Sequence, residues 1–347
     1  MDFNKLFVII GYDLNVYYLQ PNIFINLRNI KKVCKSWKKY WIFNKIIRLD
    51  INDDLINTNK KNFNLENLDN IKYLNFNEND FIKNLNFCKN LLYMFCKSTN
   101  ISEIPEELDC LEELDCSQCL NLKKIPKIKT LKKLKCVYTK INKIPEELDC
   151  LEILNCSQCY RLKKIPKIKT LKKLICEDIN IEKIPEDFDY LEELDCHFCK
   201  KLKRIPKIKT LKNLSCTETN IVEIPEELHN LEELYCDFCY NLLNIPKIKT
   251  LKRLYCCHIN ISTIPEELDC LEVLNCCGCQ NLIKIPKIKT LKILDCQETN
   301  IYIIPEELIC LEELYCVKCR NLIEIPEIKT LKIICHYKFD LSRILNL

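Results

Sequence analysis

Cysteine is the residue whose type and spacing offer chemistry here. Of 27 cysteines, twelve recur at one fixed interval, as Cys96, Cys116, Cys136 and onward to Cys316. Six more stand three positions after alternate members of that series, at Cys119, Cys159, Cys199, Cys239, Cys279 and Cys319. The result is six C-x-x-C pairs, a spacing used by structural zinc sites. If each 20-residue segment forms one coil and the coils stack through parallel strands about 4.8 Å apart, consecutive pairs lie roughly 10 Å apart. Two pairs at that distance cannot enclose one ion. A three-thiolate site that borrows a cysteine from the intervening coil stays open, and with it a thiolate-rich metal-binding protein. The competing reading is packing, because free cysteine behaves as a small, readily buried apolar side chain.

Other chemistry is harder to place. The histidines are His197, His229, His258 and His336, and none completes a nucleophile–base signature with a cysteine. The two glycines, Gly11 and Gly278, are isolated, which excludes a P-loop and a dinucleotide loop. No catalytic residue, no metal ligand and no cofactor is therefore assigned, and the chain is expected not to be an enzyme.

The elements that carry the cysteines are short and repeated. LEELDC begins at 111, LEILNC at 151 and LEELYC at 231; LKKLKC at 131 and LKRLYC at 251 fall halfway between such segments, with no insertion or deletion. A 20-residue unit cannot bury its own apolar face, so a fixed period of this length implies stacking. Two coil types alternate. The first has Leu111, Leu114, Cys116, Cys119, Leu122, Ile125 and Ile128 at apolar positions; the second has Leu131, Leu134, Cys136, Thr139, Ile141, Ile144 and Leu148. L-x-x-L-x-C supplies a strand, with positions 4 and 6 inward and 3 and 5 outward.

Twelve of the 13 prolines follow an isoleucine, once per coil, from Pro105 to Pro326. Proline lacks the amide hydrogen and steers its predecessor to extended geometry. The return side of each coil is thus expected to be extended or a single 3₁₀ turn, and a thin back predicts gentle curvature.

The pattern resembles the leucine-rich repeat family, whose signature is L-x-x-L-x-L-x-x-N/C-x-L. Cysteine replaces leucine at position 6, and asparagine is rare at position 9. The alternating coils are similar to those of plant disease-resistance receptors. The resemblance implies an α/β-type repeat solenoid: an arc with a parallel sheet of short strands, an extended or 3₁₀ convex side and a small N-terminal helical segment. The expected organisation is a helical segment over 1–45, degenerate capping repeats over 46–90, twelve 20-residue units over 91–335 and a C-terminal cap over 336–347.

Charge adds to this picture. Lys plus Arg is 53 and Asp plus Glu is 49, a net charge of +4. Position 2 alternates Glu112, Lys132, Glu152, Lys172 and onward to Lys332. Side by side on neighbouring strands these residues form a ladder that penalises a slip of one coil. Interspersed signs of this kind do not make the basic face that nucleic acid needs. The N-terminus shows no signal-peptide pattern, and no stretch reaches the ~20 apolar residues of a membrane span. The reading is a cytoplasmic protein with reduced thiols and no nucleic-acid or membrane partner.

Two segments could recognise partners. Leu27, Ile30, Val33, Cys34 and Trp37 recur at helical steps with basic residues between them. Leu27-x-x-Ile30-x-x-Val33-Cys34-Lys35, with Trp37 and Trp41 after it, resembles the second half of an F-box, without its Leu-Pro opening and with about six extra residues around Val16–Asn22. That resemblance implies docking on a Skp-type adaptor of a cullin–RING ubiquitin ligase through Leu27, Ile30, Val33 and Trp37. The plainer reading is a helical cap on a repeat-only scaffold or decoy. The second segment is the outward strand face, where Phe198, Tyr235, Phe238, Tyr255, His258 and Tyr315 gather as candidate partner-binding residues for a protein target.

Overall fold

A computed structural model of the chain describes strands at 8–10, 16–19 and 46–50 and the residues 71–79 and 89–335. The chain divides into two compact units, Met1–Arg161 and Leu162–Leu347.

The first unit contains β1 (Val8–Ile10), β2 (Val16–Leu19), β3 (Ile46–Asp50), β4 (Ile71–Asn75), β5 (Tyr93–Phe95), β6 (Glu113–Asp115), β7 (Lys133–Lys135) and β8 (Ile153–Asn155). β1 and β2 pair antiparallel, and every later neighbour pairs parallel. The degenerate repeats expected over 46–90 thus supply β3 and β4, joined with a register shift at Ile47/Arg48. From β5 onward each strand position pairs with its equivalent one coil later, as in Leu114↔Leu134. Of the helical segment expected over 1–45, the described residues are the strands β1 and β2, not helix; Leu27–Trp37 lies outside the described residues, as does the 336–347 segment.

The second unit contains β9 (Lys173–Ile175), β10 (Glu193–Asp195), β11 (Asn213–Ser215), β12 (Glu233–Tyr235), β13 (Arg253–Tyr255), β14 (Val273–Asn275), β15 (Ile293–Asp295), β16 (Glu313–Tyr315) and β17 (Ile333–Cys335). Consecutive strands pair parallel and in register throughout. Both units are parallel-sheet solenoids. Among the described residues the return sides are extended chain and turns, with no helix.

The core is the row of positions that the periodicity selects. Leu111, Leu114, Cys116, Cys119, Leu122, Ile125 and Ile128 are all buried, and so are the seven matching positions of coil 131–150. Burying each Leu or Ile contributes roughly 1.5–3 kcal/mol relative to exposure. Each coil turns twice. The Leu131 amide donates to the Ile128 carbonyl at one corner, and the Cys119 amide donates to the Cys116 carbonyl at the other. Threonine closes the first corner: the Thr130 hydroxyl donates to the carbonyls of Leu111 at 2.9 Å and Asp109 at 3.0 Å.

The second corner carries a feature the periodicity did not reveal. Position 8 has positive φ in every described coil from Glu78 to Lys318, at twelve non-glycine residues and at Gly278. Such turn positions usually select glycine or asparagine. Here the conformation aims the position-8 amide at the next coil: Gln118 donates to the Val137 carbonyl at 2.7 Å and His258 to the Cys277 carbonyl at 2.8 Å. The inter-coil bond recurs along the stack and offsets the local strain.

Candidate binding face

The position-9 thiols donate across coils. Cys119 Sγ reaches the Cys96 carbonyl at 2.9 Å, and the same contact recurs from Cys159 to Cys136, Cys199 to Cys176, Cys239 to Cys216, Cys279 to Cys256 and Cys319 to Cys296. Position-6 thiols lean the other way, as with Cys236 Sγ and the Tyr255 carbonyl at 3.4 Å. All six position-9 thiols, and position-6 thiols such as Cys116, Cys196, Cys236 and Cys276, therefore bond to a neighbouring coil and not to the other member of their own C-x-x-C pair. Burial pushes the Cys116, Cys196, Cys236 and Cys276 thiols well above their usual pKa, which holds them protonated and suited to donate. Among the described residues no three His, Cys, Asp or Glu side chains are grouped to hold a metal ion.

Charge ladders flank this interior. Each position-2 lysine with a described partner takes the glutamate of the preceding coil: Lys132–Glu112 at 3.1 Å, Lys212–Glu192 at 3.0 Å, Lys252–Glu232 and Lys292–Glu272 at 2.8 Å, and Lys332–Glu312 at 2.5 Å. A second ladder, not recognised from the sequence, runs along position 17: Lys127–Glu147, Lys207–Glu227 and Lys287–Glu307 at 2.5 Å, and Lys247–Glu267 at 2.6 Å. Both ladders join the same coil pairs, so a double coil is the electrostatic repeat. The alternation of Lys127 and Glu147 one coil apart was the available signal.

The outward strand face differs from these regular rows. Tyr235 and Tyr255 stack at 4.7 Å between ring centroids with 5° between planes. On the same two coils Phe238 and His258 stack at 4.9 Å with 13° between planes. Four of the six candidate partner-binding residues thus form two stacked pairs on adjacent coils. Phe198 sits two coils earlier, beside His197 at 5.1 Å, and Tyr315 stands three strands beyond Tyr255. All six are half-buried, which leaves part of each ring open to solvent. The Tyr235 hydroxyl donates to Glu233 at 3.0 Å and the Tyr315 hydroxyl to Glu313 at 2.9 Å. Burial and the Glu233 carboxylate push the Tyr235 pKa up.

His197 sits between two carboxylates, with Nδ1 2.5 Å from Asp195 and Nε2 3.1 Å from Glu177. Burial opposes its protonation, but the carboxylates prevail and raise its pKa. The first unit carries an aromatic group that sequence reasoning missed: the Tyr73 ring lies 5.1 Å from Phe95 and 6.2 Å from Tyr93. The Leu27, Ile30, Val33 and Trp37 positions lie outside the described residues.

No protein-family model matches the chain, and no curated protein matches it. Its likeness is to solved structures. The functional domain of InlJ from Listeria monocytogenes, which includes a cysteine ladder, is similar with a TM-score of 0.65 at 18% identity, covering 80% of this chain and 66% of that one. A leucine-rich repeat protein of Leptospira interrogans gives 0.55 at 21% identity, covering 77% and 80%. YopM from Yersinia enterocolitica gives 0.54 at 16% identity, covering 85% and 63%. The fold is that of leucine-rich repeat proteins.

Proposed function

We propose that the chain is a non-enzymatic interaction protein whose outward strand face holds a protein partner. The observation that carries this reading is the pair of ring stacks, Tyr235/Tyr255 and Phe238/His258, on a sheet whose other rows repeat. Aromatic side chains bury large area at low entropic cost, and they are enriched where interfaces concentrate their energy. The test is a photo-crosslinking residue at Thr217 or Gln297 in the full chain. Both positions should capture one protein, and Tyr255→Ala should abolish the capture. Capture that is indifferent to Tyr255→Ala rejects the face.

A finer reading rests on Val33-Cys34-Lys35-Ser36-Trp37, which stands where an F-box would end before the repeats begin. On it, Leu27, Ile30, Val33 and Trp37 dock a Skp-type adaptor, and the repeat face presents a target to a cullin–RING ubiquitin ligase. Pull-down with such an adaptor should succeed for the natural chain and fail for Val33→Asp/Trp37→Ala. No capture by the natural chain removes the ligase role and leaves a repeat-only scaffold. Free interior thiols, those of position 6 held protonated by burial, fit a reducing, cytoplasmic setting.

A further inference from the structure

We infer that the strand face of the second unit, from coil 231 to coil 311, binds a basic segment of a protein, with an arginine or lysine seated at Asp295 against Tyr315. This rests on the interaction reading above and adds the chemistry of the partner. Over these five coils the outward positions 3, 5, 7 and 8 carry Glu233, Asp237, Asp295, Glu298 and Glu313, against only Arg253 and Lys318. Arg253 pairs with Glu233, and Lys318 pairs with Glu298 at 2.7 Å. Asp237, Asp295 and Glu313 have no cationic partner among the described residues. Among the described residues they accept from Cys257, from the Gln297 amide and side chain, and from the Tyr315 hydroxyl. The position-2 and position-17 rows pair their charges in ladders and the chain carries a net +4, whereas these three carboxylates share one face without a cationic partner among the described residues.

Side-chain size supplies the shape. Coil 271 contributes Val273, Asn275, Cys277 and Gly278 to this face, with no ring and no charge. The His258 imidazole covers Gly278, so the low step between the stacked rings of coils 231 and 251 and the ring of Tyr315 lies at Asn275 and Cys277. Along position 5 the strand pairing sets Tyr235, Tyr255, Asn275, Asp295 and Tyr315 in consecutive rows. A cation at Asp295 lies one row, about 4.8 Å, from Tyr315, within cation–π reach. Its aliphatic stem crosses the low step toward Tyr255. Carboxylates beside aromatic rings attract cationic side chains and repel polyanions, so the face selects against nucleic acid and acidic peptides.

The experiment pans a random nine-residue peptide library, displayed on phage, against the full chain. Recovered peptides are then measured by fluorescence anisotropy at low and at moderate salt. Expected are peptides enriched in Arg and Lys that weaken as salt rises. They should bind roughly tenfold more weakly to Asp237→Asn/Asp295→Asn/Glu313→Gln, which keeps shape and hydrogen-bond acceptors while removing charge. If the triple variant fails to fold, Asp295→Asn alone and the salt dependence of the natural chain decide. Acidic or uncharged peptides that need Tyr255 but ignore the carboxylate substitutions overturn the basic partner and leave the interaction face standing. Recovery of no peptide whose binding depends on Tyr255 or Tyr315 overturns both.

Discussion

Cys119 Sγ lies 2.9 Å from the backbone carbonyl oxygen of Cys96, one coil back. The Thr99 hydroxyl donates to the same oxygen at 2.8 Å. Position 6 directly follows the strand, and its carbonyl faces the interior, where an unmatched acceptor costs about 1–3 kcal/mol. A leucine there would fill space without donating, and a serine would donate at a larger desolvation cost. Cysteine does both jobs in one small side chain, which accounts for its use six times at position 9.

Replacement of a position-9 thiol tests that account. In Cys159→Ala the Cys136 carbonyl keeps only the Thr139 hydroxyl, at 2.9 Å, and a small void opens. The expected loss is about 1–2 kcal/mol. Cys159→Ser restores a donor and should lose less. Urea unfolding followed by circular dichroism ranks the two, and an equal loss would assign the cysteine to volume alone.

The charge ladder makes a different prediction. Lys252 sits between the coils of Glu232 and Glu272 and pairs with Glu232 at 2.8 Å. Both side chains are about half exposed, so the isolated pair is weak. Lys252→Ala should therefore shift the unfolding midpoint little. Lys252→Glu sets three glutamates side by side and should lower the midpoint more than the alanine change does. Molar sodium chloride should close the gap between the two variants, because it screens like charges.

The interior of the stack was legible from sequence because its signal is redundant. Leu111, Leu114 and Cys116 recur in the same register in coil after coil, and one buried set satisfies all of them. The ring stacks were legible in part. Tyr235 and Tyr255, one period apart on successive strands, have to be neighbours, but period alone does not say that their planes align. The positive φ of position 8 was hidden, because Gln158, Phe198 and Glu218 stand where glycine would have announced it. The inter-coil bond from the position-8 amide outweighs the residue's own preference, and that bond exists only in the stack. The choice of Lys132 for Glu112 was hidden as well, since sequence offers both flanking glutamates equally.

His197 makes stability depend on pH. The charged groups around it are Asp195 on its own coil and Glu177 on the preceding one, with neutral Thr217 in the same row of the next coil. Its pKa is raised in the folded chain, so the folded state binds the proton more tightly than the unfolded state does. The stabilisation is complete below the unfolded value of about 6.5 and fades as pH rises through the folded value. From pH 6 to pH 8 the natural chain should lose unfolding midpoint relative to His197→Gln. Parallel slopes in the two proteins would show that the carboxylates do not hold the proton.

Gly278 separates two reasons for using glycine. Its φ is +72°, but twelve other coils carry a side chain at the same position with φ from 49° to 62°, so the turn itself tolerates one. The distinction lies in the neighbour: a Cβ at Gly278 would stand 2.2 Å from His258 Nδ1 and 2.3 Å from Cε1. The imidazole lies over this glycine and stacks on Phe238 from the other side. Gly278→Ala should then cost the roughly 1–2 kcal/mol of a left-handed non-glycine residue plus the displacement of the ring. In the His258→Ala background the second part is already absent, and Gly278→Ala should cost only the first. A double-mutant cycle in urea should therefore show coupling between the two sites. Additive losses would place the requirement in the turn and leave the His258 stack without a structural claim on its neighbour.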